Sequence, residues 1–78
     1  MNCKETEKYI IANKGNAEII NSLLNEIDKR MNEIDYIMDR FLEDYPESED
    51  PQIVSFHEAH NAEYYDVSRL KRIANAYI

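Results

Sequence analysis

The sequence predicts an all-α fold. A heptad-spaced apolar seam runs unbroken from Ala17 to Tyr45, a second stripe of helical period runs from Ile53 to Tyr77, and turn-forming residues are limited to one glycine and two prolines. The seam comprises Ala17, Ile20, Leu24, Ile27, Met31, Ile34, Met38, Phe41 and Tyr45. Its steps alternate between three and four residues, which places all of these side chains on one narrow strip of a helix. That is the geometry of helix-on-helix packing in a bundle or coiled coil. Within the seam the tetrapeptide Asn-Glu-Ile-Asp occurs at 25–28 and again at 32–35, one heptad apart.

Taken in order, the elements form one helical domain over 1–78, with helices at about 4–13, 16–45 and 51–77. The first is short and stops before Gly15, which suits the left-handed conformation that closes a helix. Asn16 then serves as N-cap of the long helix, and the Glu18 carboxylate favours the positive end of its dipole. A continuous helix through Gly15 is the alternative, since glycine costs only about 1 kcal/mol inside a helix. Pro46 ends the long helix because the residue before a proline is pushed out of the helical region. Glu47-Ser48-Glu49 is a polar connector, and Asp50-Pro51 reads as an N-cap followed by proline at the first helical position.

The last helix carries the stripe Ile53, Phe56, His60, Tyr64, Val67, Leu70 and Ala74, with Tyr77 and Ile78 at its end. Its period averages near 3.6, so it is amphipathic without being a strict heptad. Glu63 and Lys71 fall on or beside the stripe and His57 flanks it. Charged groups on a packing face must be hydrated, paired or held for another molecule.

The long helix spans roughly 44 Å, the last is about as long, and the short connector folds them into an antiparallel hairpin. Two helices leave apolar surface open, widened here by Ile19, Leu23 and Ile37, and the first helix is too short to cover it. A chain of 78 residues buries too little surface to be comfortable alone. A homodimer is therefore expected, completing a helix bundle through Ile20, Leu24, Ile27, Met31, Ile34, Met38 and Phe41, with Asn25 and Asn32 flanking that seam.

Charge is the second informative feature. From Glu26 to Asp50 there are ten acids (Glu26, Asp28, Glu33, Asp35, Asp39, Glu43, Asp44, Glu47, Glu49, Asp50) and three bases (Lys29, Arg30, Arg40), a difference equal to the chain's net charge of −7. Arg69, Lys71 and Arg72 follow with no acid after Asp66. The plain reading is a solvated face with pairs such as Glu26 with Arg30. The sharper one is that Glu26, Asp28, Glu33, Asp35, Asp39 and Glu43 imitate a phosphate backbone and occupy a basic groove on a nucleic-acid-binding protein. Direct nucleic-acid binding by so acidic a chain is not expected. Nor is membrane insertion, since the longest apolar run, Tyr9 to Ala12, is far below the roughly 20 residues that span a bilayer. A single cysteine forms no internal disulfide and the opening residues lack an apolar signal stretch, so the expected compartment is reducing cytoplasm.

Three spots invite a chemical reading. His57-Glu58-Ala59-His60 sets its imidazoles three apart, whereas the zinc-protease helix needs H-E-x-x-H. Glu63 and Asp66 form an E-x-x-D pair like that with which small all-helical nucleotide pyrophosphohydrolases hold magnesium, but the companion E-x-x-E on the preceding helix is missing. Cys3 has Lys4 and Lys8 near it but no histidine to act as base. No cofactor, metal or catalytic activity is expected. The leading expectation is a protein-interaction module, most specifically a small inhibitor of the phage or mobile-element type, such as an anti-CRISPR or other anti-defence protein. One alternative is a small-ligand or nucleotide-signal binder using His57, His60, Tyr64 and Lys71 at a dimer interface. The other is a structural coiled coil.

Overall fold

The computed structural model describes residues 2–45 and 49–78 as three helices, α1 (Cys3–Ala12), α2 (Ala17–Asp44) and α3 (Pro51–Tyr77), with no strand among the described residues. The roles expected of Pro46 and of Glu47-Ser48 lie outside the described residues. No helix among them is long and apolar enough to cross a membrane.

Local capping explains where each helix begins. The Asn2 side chain accepts from the Glu5 N–H and Thr6 bonds back to the Asn2 carbonyl, so α1 starts one residue earlier than the sequence suggests. Asn16 accepts from the Ile19 N–H at 3.2 Å and Asp50 accepts from the Gln52 N–H at 2.9 Å, with Pro51 at the start of α3. Gly15 takes a φ of +83°, the left-handed conformation that L side chains resist, and α1 and α2 are separate helices. Its N–H donates to the Tyr77 carbonyl at 2.9 Å, which ties the α1–α2 turn to the last residue of α3. Lys14 adds a cation over the Tyr77 ring, 5.4 Å from its centroid.

The molecule is a rod 46 Å long and 18 × 16 Å across. Contacts between α2 and α3 descend along one as they ascend along the other: Asp28 meets Lys71, Arg30 meets Glu63, and Phe41 meets Phe56. α1 packs against α3, with Cys3 close to Glu63 and Asp66 and the Glu7 carboxylate 3.5 Å from the Arg69 guanidinium. At about 1.5 Å per residue α1 is roughly 15 Å long, so it lies beside only one half of the rod.

Burial follows α1. The fully buried side chains are Ile10, Ile20, Ile27, Ile34, Val67, Leu70 and Ala74, and Leu23, Leu24, Met31, Met38, Tyr64, Ile73 and Tyr77 pack around them. Ile20, Ile27 and Ile34 recur every seven residues, so the heptad seam is real, and one chain closes this stretch of it without a second copy. Each such aliphatic side chain gains about 1.5–3 kcal/mol from leaving water. Beyond Ile34 on α2 and before Val67 on α3, no described residue is fully buried.

This asymmetry predicts unequal mutational costs. Ile27→Ala should lose about 2–5 kcal/mol, enough to lower the melting temperature of a domain this size by roughly 10 °C or more. Leu42→Ala, at the exposed end, should stay within about 0.5 kcal/mol of the parent. Thermal unfolding followed by circular dichroism checks both, and equal losses would contradict the placement of the core.

Candidate interaction surface

The polar groups that intrude on the α3 stripe are mostly paired. Glu63 accepts from Arg30 Nε at 2.7 Å, and the same guanidinium reaches Glu33 at 3.1 Å. These bonds, the one to Glu63 first, push the Arg30 pKa further above its ordinary value and keep it cationic. Lys71 Nζ stands 2.8 Å from Asp28 Oδ1. On α2, Arg30 and Asp28 lie on opposite flanks of the seam, so the two pairs bracket the core and resist sliding of α2 along α3. Half-exposed pairs of this kind stabilise by about 0.2–1 kcal/mol each. Their larger effect is on register.

The two histidines are also engaged locally. His60 Nδ1–H donates to the Phe56 carbonyl at 2.9 Å, and its ring lies 4.1 Å from that of Phe56. The Asn61 side-chain amide donates to His57 Nδ1 at 3.2 Å. Tyr64 packs against the core, Tyr65 is exposed and Lys71 is held by Asp28. His57, His60, Tyr64 and Lys71 therefore do not gather around one cavity: His57 lines a cleft that the other three do not reach. No group of three or more His, Cys, Asp or Glu side chains suited to a metal ion occurs among the described residues.

Among the described residues, that cleft is one of two concave features at the end that α1 leaves open, the other being lined by Phe41, Tyr45, Asp50, Gln52, Ile53 and Phe56. The cleft beside His57 has a volume of about 300 Å³ and is lined by Phe41, Leu42, Tyr45, Ile53, Val54, His57 and Glu58. Two of its lining residues belong to an aromatic ladder that joins α2 to α3: Tyr45 lies 5.1 Å from Phe41, Phe41 stacks on Phe56 at 4.2 Å, and Phe56 meets His60. Leu42, Tyr45 and Val54 are 46%, 49% and 40% exposed, a cluster of large apolar side chains left in water. Leu42 and Val54 fall outside both sequence stripes. The signal for them is a pair of apolar doublets, Phe41-Leu42 and Ile53-Val54, on the two sides of the connector.

The six carboxylates singled out from the sequence do not share one face. At about 100° per residue, Glu26 and Glu33 project from the flank of α2 that holds Arg30, and Asp28, Asp35 and Asp39 from the opposite one. Asp28, Glu33 and Glu43 have intramolecular cations near them, the last through Arg40 at 3.8 Å. Glu26 borders a separate groove formed by Tyr9, Glu18, Ile19, Ser22 and Leu23. Asp35 and Asp39 are exposed, one helical turn apart, and lie on the same flank as Leu42. The acidic row and the open cleft are therefore neighbours.

Cys3 is half-buried against α3. Burial first, and then the Asp66 and Glu63 carboxylates, push its thiol pKa up, which lowers the thiolate fraction near neutral pH. Alkylation of native protein at neutral pH should run several-fold slower than that of the urea-unfolded chain, and should accelerate only above the ordinary thiol range. Equal rates in the two states would contradict this placement.

No protein-family model matches this sequence, and the searches of curated proteins and of solved structures likewise returned no match.

Proposed function

We propose that this chain acts by binding another protein, with an antiparallel α2–α3 hairpin as its scaffold and no chemistry of its own. The observation that carries the reading is a coincidence of charge and exposure. Residues 35–58 hold eight acids (Asp35, Asp39, Glu43, Asp44, Glu47, Glu49, Asp50, Glu58) and one base, Arg40, so this segment alone accounts for the net charge of −7. The remaining residues balance, eight acids to eight bases. The described residues of this segment form the end of the rod where no described side chain is fully buried and Leu42, Tyr45 and Val54 face water.

Like charges gathered at one end repel each other and weaken folding, and a fold gains nothing from apolar side chains left in water. Both features suit a partner that is basic and partly apolar. Among such partners, the reading with most support is a basic nucleic-acid-binding groove. There Asp35, Asp39 and Glu43, spaced about 5–6 Å apart along one helix, take the place of phosphates. The chain is then a small inhibitor of the phage or mobile-element type, an anti-CRISPR or other anti-defence protein. We favour the single chain over the homodimer as the working unit. Ile20, Ile27 and Ile34 are already covered, and joining two such acidic ends brings like charges together.

The test is displacement of fluorescent duplex DNA from a panel of RNA-guided and other basic-groove nucleases. The parent protein should displace DNA and slow cleavage by at least one of them. The triple variant Asp35→Asn, Asp39→Asn, Glu43→Gln should be about 10–100-fold weaker, whereas Glu26→Gln, on the other flank, should act like the parent. An undiminished triple variant, or no displacement across the panel, would overturn the reading.

A further inference from the structure

We infer that the occupant of the open end is a cationic amphipathic helix of the partner, laid along the groove between α2 and α3 with its apolar stripe on Leu42, Phe41 and Val54. This inference rests on the interaction reading above and names the element that enters.

Three observations define the occupant. The groove is apolar at its base, with Phe41 and Ile53 below and Leu42, Tyr45 and Val54 at the surface. Carboxylates flank it on both sides: helical periodicity sets Asp35 and Asp39 on the α2 flank that carries Leu42, and Glu58 on α3 lines the cleft itself. In the opposite direction it is bounded by the Asp28–Lys71 pair, which presents the first cation met along this flank. From Met31, beside that pair, to Tyr45 is about 14 residues of α2, or roughly 21 Å, the length of a helix of four turns.

Charge decides between occupants. A second copy placed end to end on this groove brings another segment with eight acids and one base against the first, which electrostatics opposes. A helix with apolar residues at three- and four-residue spacing and Lys or Arg on both shoulders meets the apolar base with its stripe and the carboxylates on both sides with its flanks. The position is analogous to that of α1, which packs on α3 at the other end of the rod and sets its Glu7 against Arg69. α1 starts on the flank of Glu63 and Asp66, so it does not compete for this groove.

The probe is a synthetic peptide of about 14 residues with leucines at helical spacing and lysines elsewhere, labelled for fluorescence anisotropy and added to the full chain. A scrambled peptide of the same composition and a version with glutamate for lysine serve as controls. The striped cationic peptide should bind, its affinity should fall with added salt, and both controls should be about tenfold weaker or more. In the full chain, Leu42→Ser with Val54→Ser should weaken it about tenfold. Tyr9→Ser, in the other groove, should leave it unchanged. Circular dichroism confirms that these exposed-site variants stay folded. Equal binding of the scrambled peptide would show attraction by charge alone and overturn the helix assignment. An unaffected Leu42/Val54 variant would place the site elsewhere, and a dimer that forms through this end in low salt and excludes the peptide would replace the partner helix with a second copy. Loss of peptide binding with DNA displacement intact would overturn this inference and leave the interaction reading standing.

Discussion

The structure depends on a difference in length. α2 and α3 are 28 and 27 residues long and α1 is 10, so the third helix of the fold reaches beside only part of the other two. Where three helices meet, Ile10, Ile20, Ile27, Val67, Leu70 and Ala74 lose all or nearly all contact with water. Where two helices remain, even residues on the seam are only partly covered, because a pair of cylinders in contact leaves each apolar strip open on both sides. The core is consequently displaced toward one end, and stability and exposure are divided along the rod.

Electrostatics reinforces the division. Near the core, the charged residues that break the apolar stripes are neutralised across the helix pair, Glu63 by Arg30 and Lys71 by Asp28, so each side chain that might have been a defect helps fix register. At the other end Arg40 is the only base among eight acids. Carboxylates there lower the stability of the free chain by repulsion, and under the proposed function a cationic partner would relieve that repulsion on binding. The proposed binding would then gain in two ways, through relief of like charge and through burial of Leu42, Tyr45 and Val54.

Much of the fold could be read from the residues. Asn16 and the Asp50-Pro51 step mark helix starts because a short polar side chain can accept from a free helical N–H, and the seven-residue repeat of isoleucine marks the packed strip of α2. Which partner covers that strip was not legible, since a seam has the same spacing whether it closes within a chain or between chains. The same holds for polar intrusions. Glu63 and Lys71 stand out in the sequence as misplaced, but their partners lie 33 residues away in one case and come from α2 in both, so pairing appears only once register is known. The carboxylates illustrate a further limit. A run of acids along a helix looks continuous in one dimension, and 100° of rotation per residue splits Glu26 and Glu33 from Asp35 and Asp39. The cleft was missed because Leu42 and Val54 sit off the main stripes, where a single apolar residue carries little information.

Hydrogen exchange of the free chain, resolved by residue, tests the central claim of a one-sided core most directly. The account predicts that amides around Ile20 to Ile34 and Val67 to Ala74 exchange only through global unfolding, and that those from Ile37 to Asp44 and Ile53 to His60 exchange through local opening, about tenfold faster or more. Uniform protection along α2 and α3 would contradict it, because the end that α1 does not reach would then be as firmly held as the end that it covers.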